Sequence, residues 1–252
     1  MKLFKIISFL FILNTALYAN EPTIETKVGE LLERLHKDGY HLGIFNDKRF
    51  EVYRNTPKVA KTQNKINYFA ESFGYFTDVS FRQAAEFNKT HNSALKKAEE
   101  KYGVGREYIM AILQMESNFG RKAGERIVLN SLVSMYVYGR KWAYSEIKQF
   151  LSLGDAFYKD PFELKGSYAG AFGIAQGLPS SHKTFGVDFN SDGRIDPYDP
   201  EDAIGFVANY LHKCGFSKTI ESKSNAIYSY NRQKSYVNAI MEYAKELKNR
   251  LK

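Results

Sequence analysis

Apolar residues spaced three and four positions apart recur along most of the chain, which predicts a mainly helical protein. Residues 22–39 show this spacing and end at Gly39, and residues 81–103 show it again and end at Gly103. Helical spacing also covers the segment 64–76, the stretch around Glu116, residues 130–158 and 200–213, and the chain after Tyr230. Only residues 50–54, FEVYR, suggest a short strand. The fold class expected is mainly α, with a minor β contribution (α+β).

The first 19 residues have a different pattern. Lys2 and Lys5 precede an apolar run from about residue 6 to 17, and Ala19 is a small residue suited to cleavage, so residues 1–19 are interpreted as a secretory signal peptide. A retained membrane anchor is the alternative, although the run is shorter than the roughly 20 residues that span a bilayer. No Cys lies near the cleavage site, so we expect a periplasmic protein without a lipid or a stable membrane anchor.

The remaining chain shows no repeat and no linker that forces a domain boundary. We expect an N-terminal helical subdomain over residues 20–97 and a core over residues 98–252, packed as one monomeric body. The formal net charge of +8 suits an anionic polymer, but a solvated basic surface explains it equally well, and export argues against nucleic acid. Cys214 is the only cysteine, so the fold must be stabilised by packing or by a metal.

Glu116 stands where the helical pattern calls for a core residue. Ile109, Ile112 and Leu113 lie seven, four and three positions before it, on the same helix face. A carboxyl group held in a partly apolar cleft has a raised pKa and remains protonated near neutral pH, as a general acid requires. The alternative is a glutamate at the edge of a helix, paired with Arg121 or Lys122.

The segment 166–177, GSYAGAFGIAQG, contains glycines spaced four, three and four apart. This spacing places small residues on one side of a helical path, where a ligand or another backbone can approach closely. Tight helix packing is an equally good explanation. The segment lacks the sequence of a phosphate-binding loop, but Ser167 and Gln176 carry groups able to hydrogen-bond a sugar.

Residues 188–202 form an acidic loop with the residue order of an EF-hand. Asp188, Asn190 and Asp192 occupy positions one, three and five, Gly193 occupies position six, and Arg194 would offer its backbone carbonyl at position seven. The twelfth position is Asp199 rather than Glu, and Asp199 also suits the N-cap of the next helix, which makes Asp202 the competing ligand. The loop therefore predicts a structural cation, with a metal-free Asx-rich turn as the alternative.

Taken together, these segments resemble the MltB-type lytic murein transglycosylases, which have a lysozyme-like core. The resemblance extends from about residue 98 to 244 and includes AILQMESNFG, the glycine-rich segment, the acidic loop and YNRQKSYVNAI. It implies a lysozyme-like fold with one EF-hand-like loop, peptidoglycan strands as the binding partner, a structural calcium or sodium ion, and no organic cofactor.

The resemblance also assigns roles to residues. It implies that Glu116 is the sole catalytic acid and base. The substrate-binding residues that it implies are Ser167, Gln176, Tyr210, Tyr230, Asn231 and, in a basic pair with Lys141, Arg140. The metal ligands that it implies are Asp188, Asn190, Asp192, Arg194 and Asp202, with Asp199 left as a cap.

The reaction implied is non-hydrolytic cleavage of the β-1,4 bond between MurNAc and GlcNAc, which leaves 1,6-anhydro-MurNAc ends. Segment 165–187 contains no acid, in keeping with a mechanism that needs no second carboxylate. The alternative is a second carboxylate supplied from elsewhere in the fold. Two alternatives remain open at this point. A muramidase of the same fold would leave reducing ends, and a non-catalytic wall-binding protein would cleave nothing.

Overall fold

The computed structural model describes residues 22–54, 66–154, 157 and 160–251. It divides into two compact units, residues 1–42 and 43–252. The predicted signal peptide, residues 1–19, lies outside the described residues. The predicted domain boundary after residue 97 falls inside the larger unit and within a helix, because the helices on either side of it share one hydrophobic core.

The smaller unit is described from residue 22 and consists of one helix, α1 (Ile24–Lys37). Thr23 caps its first turn, since the Thr23 hydroxyl oxygen accepts a hydrogen bond from the backbone N–H of Thr26 at 3.2 Å. The helix ends before Gly39, which has a φ of +87°. The helix predicted over residues 22–39 is therefore confirmed.

The larger unit contains nine α-helices and one two-stranded antiparallel sheet among its described residues. The sheet pairs β1 (Arg126–Ile127) with β2 (Lys165–Gly166). The helices are α2 (Asp78–Thr90), α3 (Asn92–Tyr102), α4 (Arg106–Ser117), α5 (Val128–Val137), α6 (Ala143–Leu151), α7 (Pro179–Phe185), α8 (Pro200–Lys213), α9 (Ile220–Tyr230) and α10 (Lys234–Arg250).

Helix α4 is the centre of the main hydrophobic core. All seven residues from Ile109 to Met115 are buried, including the polar Gln114, so the helix is surrounded on every side. Helix α10 makes the most extensive packing contact with α4, and α8 packs against both α3 and α4. A helix buried on all sides positions its C-terminal end rigidly, and Glu116 lies at that end.

Several local predictions differ from the structure. Residues 50–54 form no strand, and segment 66–76 is not an α-helix but contains a short 3-10 helix, Glu71–Phe73, that ends at Gly74 with a φ of +68°. The predicted helix over 130–158 is two helices, α5 and α6, because Gly139 takes a φ of +87° between them. One helix was expected after Tyr230, and that prediction missed α9, which ends at that residue.

The glycine-rich segment is not helical, so the helical path predicted for it is wrong. It leaves β2 through turns in which Gly170 and Gly173 have φ values of +83° and +75°. The expected close approach does occur: a Cβ on Gly173 would lie 2.5 Å from the Pro197 carbonyl oxygen, and one on Gly166 would lie 2.1 Å from that of Ala171. The small residues thus permit tight packing of a loop rather than of a helix.

Among the described residues, none of the helices combines the length and apolar character needed to cross a membrane.

Candidate active site

Glu116 is the second-last residue of helix α4, and the chain leaves the helix directly after it. Asn118 and Phe119 both adopt left-handed φ values, 51° and 53°, which end the helix without a glycine. The Ser117 hydroxyl donates to the Ile174 carbonyl oxygen at 2.6 Å and accepts from the Gly120 N–H at 2.8 Å. Ser117 therefore ties the end of α4 to the glycine-rich segment.

The Glu116 carboxyl group is largely enclosed and makes one side-chain hydrogen bond. Tyr236 on α10 donates its hydroxyl to Glu116 Oε1 at 2.6 Å. Burial raises the pKa of Glu116 to about 7, and the bond from Tyr236 opposes that rise. The ion pair with Arg121 or Lys122 that was the alternative is not formed among the described residues: Arg121 pairs with Glu86 at 3.8 Å, and neither cation contributes to the shifted pKa of Glu116. The raised pKa allows Glu116 to hold its proton near neutral pH.

Four tyrosines surround this carboxyl group. Burial raises the pKa of Tyr68, Tyr75, Tyr230 and Tyr236, and the nearby Glu116 charge raises each of them further. The Tyr75 hydroxyl donates to the Met115 carbonyl oxygen at 3.1 Å. These phenols stay neutral over the working pH range, so Glu116 is the group among them that can exchange a proton.

Ser167 and Gln176 hold the glycine-rich segment in shape. The Ser167 hydroxyl accepts from the Ala171 N–H at 3.1 Å and closes a turn. Gln176 has a φ of +51°, and its amide nitrogen donates to the carbonyl oxygens of Ala123 and Gly173, both at 2.8 Å. Because both amide hydrogens are used, a ligand would meet the Gln176 side chain through its carbonyl oxygen.

Tyr210, Tyr230 and Asn231 lie together. The Tyr210 and Tyr230 rings are 4.7 Å apart, and the Tyr230 hydroxyl donates to the carbonyl oxygen of Ala175, next to Gln176. Asn231 follows α9 and hydrogen-bonds Tyr68. These contacts connect α8, α9 and the glycine-rich segment to the tyrosines around Glu116.

Arg140 does not share the contacts that join Tyr210, Tyr230 and Asn231. It lies in the turn between α5 and α6, and within the described residues its guanidinium forms no hydrogen bond or ion pair with another predicted site residue. Its substrate-binding role stays a prediction.

A cleft of about 340 Å³ opens beside Glu116. One wall is the end of α4, from Gln114 to Asn118, and the other is segment 72–83. Glu116 is the only carboxylic acid among the described residues that line it. The chemistry available in this cleft is therefore that of one acid near neutral pH.

The acidic loop is organised by two different aspartates. Asp199 is the N-cap of α8, and its Oδ1 accepts from the N–H groups of Glu201 at 2.8 Å and Asp202 at 3.1 Å. Asp202 is only 2% exposed and reaches back to the loop. It accepts from the N–H groups of Phe189 at 2.6 Å, Asp196 at 2.7 Å and, more weakly, Asn190 at 3.4 Å.

The remaining predicted metal ligands converge on the middle of the loop. Asp188 and Asn190 both accept from the Asp192 N–H, at 3.1 and 3.0 Å, and Asp192 accepts from the N–H of Arg194 at 2.9 Å. In the described chain these carboxylates bond backbone N–H groups and are not arranged as a group of three or more metal-binding side chains. Their oxygen-only donor set nevertheless has the chemistry that calcium and sodium require.

Sequence reasoning missed Tyr68, Tyr75 and Tyr236. Tyr236, Ile240, Tyr243 and Leu247 are spaced along one buried face of α10, so Tyr236 looks like an ordinary core residue. Its hydroxyl became informative only once the fold placed it against Glu116.

The sequence profile of the family described as "Transglycosylase SLT domain" matches residues 25–223. The chain belongs to this family. The chain is also 38% identical, over 147 residues, to the membrane-bound lytic murein transglycosylase B of Escherichia coli K12. That match covers 57% of this chain but only 41% of the relative, so the chain spans less than half the length of the curated relative it matches.

Solved structures share the fold. The Escherichia coli lytic transglycosylase Slt35 in complex with calcium superposes with a TM-score of 0.72 at 22% identity, covering 91% of this SLT chain and 94% of Slt35. SltB3 of Pseudomonas aeruginosa in complex with NAG-anhNAM-pentapeptide gives 0.79 at 19% identity, covering 90% and 80%. The mainly helical, lysozyme-like transglycosylase fold expected from the sequence is confirmed.

Proposed function

We propose that this protein is a lytic murein transglycosylase that cleaves the β-1,4 bond between MurNAc and GlcNAc in peptidoglycan. The observation that carries the proposal is Glu116, a partly buried carboxyl group with a pKa raised to about 7 in a cleft that contains no other acid among its described lining residues. Family membership and a relative named as a lytic murein transglycosylase support it.

Glu116 performs both proton transfers in the proposed mechanism. Tyr236 occupies Oε1, which leaves Oε2 to donate a proton to the bridging oxygen as the bond from that oxygen to MurNAc C1 breaks. The resulting Glu116 carboxylate then takes the proton of the MurNAc 6-hydroxyl. The oxygen of that 6-hydroxyl bonds to C1 and closes the 1,6-anhydro ring. The acid is regenerated, and no water is consumed.

A single acid favours this route over hydrolysis by two carboxylates. Most glycosidases place a second Asp or Glu within about 5 to 10 Å of the acid, as nucleophile or as base. The substrate's own N-acetyl group can instead stabilise the positive charge at C1. We assign substrate contacts to Ser167, Gln176, Tyr210, Tyr230 and Asn231 and, near the peptide stem, to Arg140.

Product analysis tests the proposal. Purified peptidoglycan is digested with the protein, and the released muropeptides are analysed by mass spectrometry. We expect 1,6-anhydro-MurNAc ends, which are lighter than reducing ends by one water. Reducing ends would identify a muramidase, and the absence of any release by folded protein would favour a wall-binding role.

The bond from Tyr236 gives a pH prediction. Tyr236→Phe removes a hydrogen bond that lowers the pKa of Glu116, so that pKa rises and the alkaline limb of kcat/KM moves to higher pH. At its optimum the variant should lose about fivefold in kcat/KM, the equivalent of about 1 kcal/mol.

Tyr243→Phe is the matched control. Tyr243 is buried on the same helix, but its hydroxyl bonds Ser80 at 2.7 Å rather than Glu116. Its removal should leave the pH profile in place. An equal shift in both variants, or none in Tyr236→Phe, would contradict the assigned role of Tyr236.

We also propose that the acidic loop binds a structural calcium ion through Asp188, Asn190, Asp192, the Arg194 carbonyl and Asp202, with sodium as the weaker alternative. The oxygen donor set and the calcium complex of Slt35 support this. Bound calcium would supply charge compensation for the loop carboxylates and takes no part in the reaction.

Calcium should therefore raise the melting temperature of the protein. At 100 times its Kd the ion adds about 2.7 kcal/mol, or a shift of about 5 to 10 °C for a chain of this size. Asp188→Ala should abolish the shift, whereas Glu201→Gln, a change in a neighbouring acid outside the donor set, should retain it. If calcium leaves the melting temperature of the wild-type protein unchanged, the proposed calcium site is wrong.

For location we propose export to the periplasm, with cleavage of residues 1–19 after Ala19 and action as a monomer. The curated relative is named as membrane-bound. N-terminal sequencing of the protein from a periplasmic extract would test this.

A further inference from the structure

Phe73 presents an exposed aromatic ring at the cleft that contains Glu116. The residue is 42% exposed, and it lines the cleft together with Glu116. A large aromatic ring left in water forgoes the free energy that burial would provide, and ligand-binding clefts are commonly lined by aromatic side chains. Its place in a cleft wall points to contact with a ligand.

Two tyrosines stack with the Phe73 ring. The Phe73 and Tyr75 rings stack at 5.6 Å with only 8° between their planes, and the Phe73 and Tyr68 rings stack at 5.8 Å and 23°. Tyr68 in turn lies edge-on to Tyr236 at 5.6 Å, and Tyr236 bonds Glu116. The exposed ring is therefore the outer member of an aromatic cluster that ends at the acid.

The backbone beneath the ring is also held. Phe73 is the last residue of its 3-10 helix, and Gly74 ends that helix with a left-handed φ of +68°. The Gly74 N–H donates to the Glu71 carbonyl oxygen at 2.9 Å, and the Thr77 hydroxyl donates to the Gly74 carbonyl oxygen at 2.9 Å. The ring thus needs little reordering when a ligand binds, which lowers the entropy cost of binding.

We propose that Phe73 is a sugar-stacking residue that binds one pyranose ring of the glycan strand. This deepens the proposed function and rests on it. The C–H groups on one face of a pyranose carry slight positive charge and pack on the electron-rich face of an aromatic ring. The hydroxyl groups at the rim of the sugar remain free for the polar groups of the cleft. Phe73 strengthens binding and takes no part in proton transfer.

Binding is measured by calorimetry with soluble, peptide-free peptidoglycan oligosaccharides, in a Glu116→Gln background so that nothing is cleaved. Phe73→Ala should weaken binding by about 3- to 10-fold. Phe73→Leu should weaken it similarly, since leucine is apolar but has no flat face, and Phe73→Trp should retain it. In the active enzyme, Phe73→Ala should raise KM by the same factor and leave kcat unchanged.

Phe69→Ala is the matched control. Phe69 is 48% exposed and lies in the same segment, but it lines a groove along α10 that does not contain Glu116. Its replacement should leave oligosaccharide affinity unchanged, and melting temperatures establish that all variants are folded.

The outcomes separate this proposal from the proposed function. If the wild type cleaves peptidoglycan but Phe73→Ala binds oligosaccharide like its parent, the stacking role is wrong and the function stands. Equal weakening in Phe69→Ala, or full affinity in Phe73→Leu, would also overturn it. If the wild type neither binds nor cleaves, the proposed function fails and the role of Phe73 fails with it.

Discussion

Glu116→Gln should abolish peptidoglycan cleavage while leaving the protein folded. Glutamine has nearly the shape of glutamate and can still accept the hydrogen bond from Tyr236, but it can neither give nor take the proton. General acid–base catalysis contributes about 10² to 10⁴ in rate, and here one group serves both half-steps, so we expect a loss of at least about a thousandfold. Release of anhydro-muropeptides, followed by mass spectrometry, is the measurement.

Glu107→Gln provides the control on the same helix. Glu107 lies in the first turn of α4, does not line the Glu116 cleft, and its ion pair with Lys248 is long, at 3.9 Å. Activity should persist in this variant. Substantial cleavage by the Glu116→Gln protein would remove Glu116 from the mechanism.

Glu116→Gln should also change how the free energy of unfolding depends on pH. The pKa of Glu116 is about 7 in the folded protein and near its ordinary value of 4.5 in the unfolded chain. The folded state therefore holds this proton more tightly, so its contribution to stability is complete below pH 4.5 and is lost as the pH rises through 7. The loss amounts to at most about 3 kcal/mol.

Denaturation by urea at pH 5 and pH 8.5 measures this effect. Relative to the wild type, Glu116→Gln should gain stability at the higher pH, because it has no buried charge to form. An identical pH dependence for the two proteins would mean that the Glu116 carboxyl group is as well solvated in the fold as in the unfolded chain.

The second large effect is expected at Asp202. Replacing it with alanine leaves three backbone N–H groups without this acceptor: the buried one of Phe189, the part-buried one of Asp196 and the more weakly bonded, part-buried one of Asn190. Each such loss costs about 1 to 3 kcal/mol, so Asp202→Ala should lower the free energy of unfolding by about 3 to 5 kcal/mol. Urea denaturation in the presence of a chelator measures this loss without any contribution from calcium.

Asp199→Ala is the comparison that separates the two aspartates. Asp199 caps a helix that α3, α4 and α9 already hold in place, and the loss of an N-cap costs about 1 kcal/mol. Asp202→Asn keeps one acceptor oxygen and should fall between the two, which preserves the test if Asp202→Ala does not fold. A loss at Asp202 no greater than that at Asp199 would contradict its role in shaping the loop.

Much of this architecture could be anticipated from the sequence because its signals are local. Helices α1, α3 and α8 follow from their apolar spacing and from end signals such as Gly39, Gly103 and the Asp199-Pro200 start. Glu116 was recognisable because it interrupts an apolar face. The glycines of segment 166–177 correctly predicted a close approach of backbone, since the lack of a side chain is a property of the residue itself.

The rest depends on contacts between distant parts of the chain. Residues 66–76 have helical spacing, but their aromatic rings pack on one another and on α10, and Gly74 turns the backbone, so tertiary contacts override the local pattern. Tyr236 is 120 residues from Glu116. No periodicity or spacing in one sequence links two such positions, and for that reason the tyrosines around the acid were missed.

The aromatic composition of the cleft decides how ligand entry can be observed. Trp142 is the only tryptophan, it is 43% exposed, and it is not among the described residues that line the cleft. Tyrosines and Phe73 instead surround Glu116. Tryptophan fluorescence is therefore a poor reporter of an occupied cleft, whereas near-ultraviolet circular dichroism, which senses ordered tyrosine rings, should change as oligosaccharide binds.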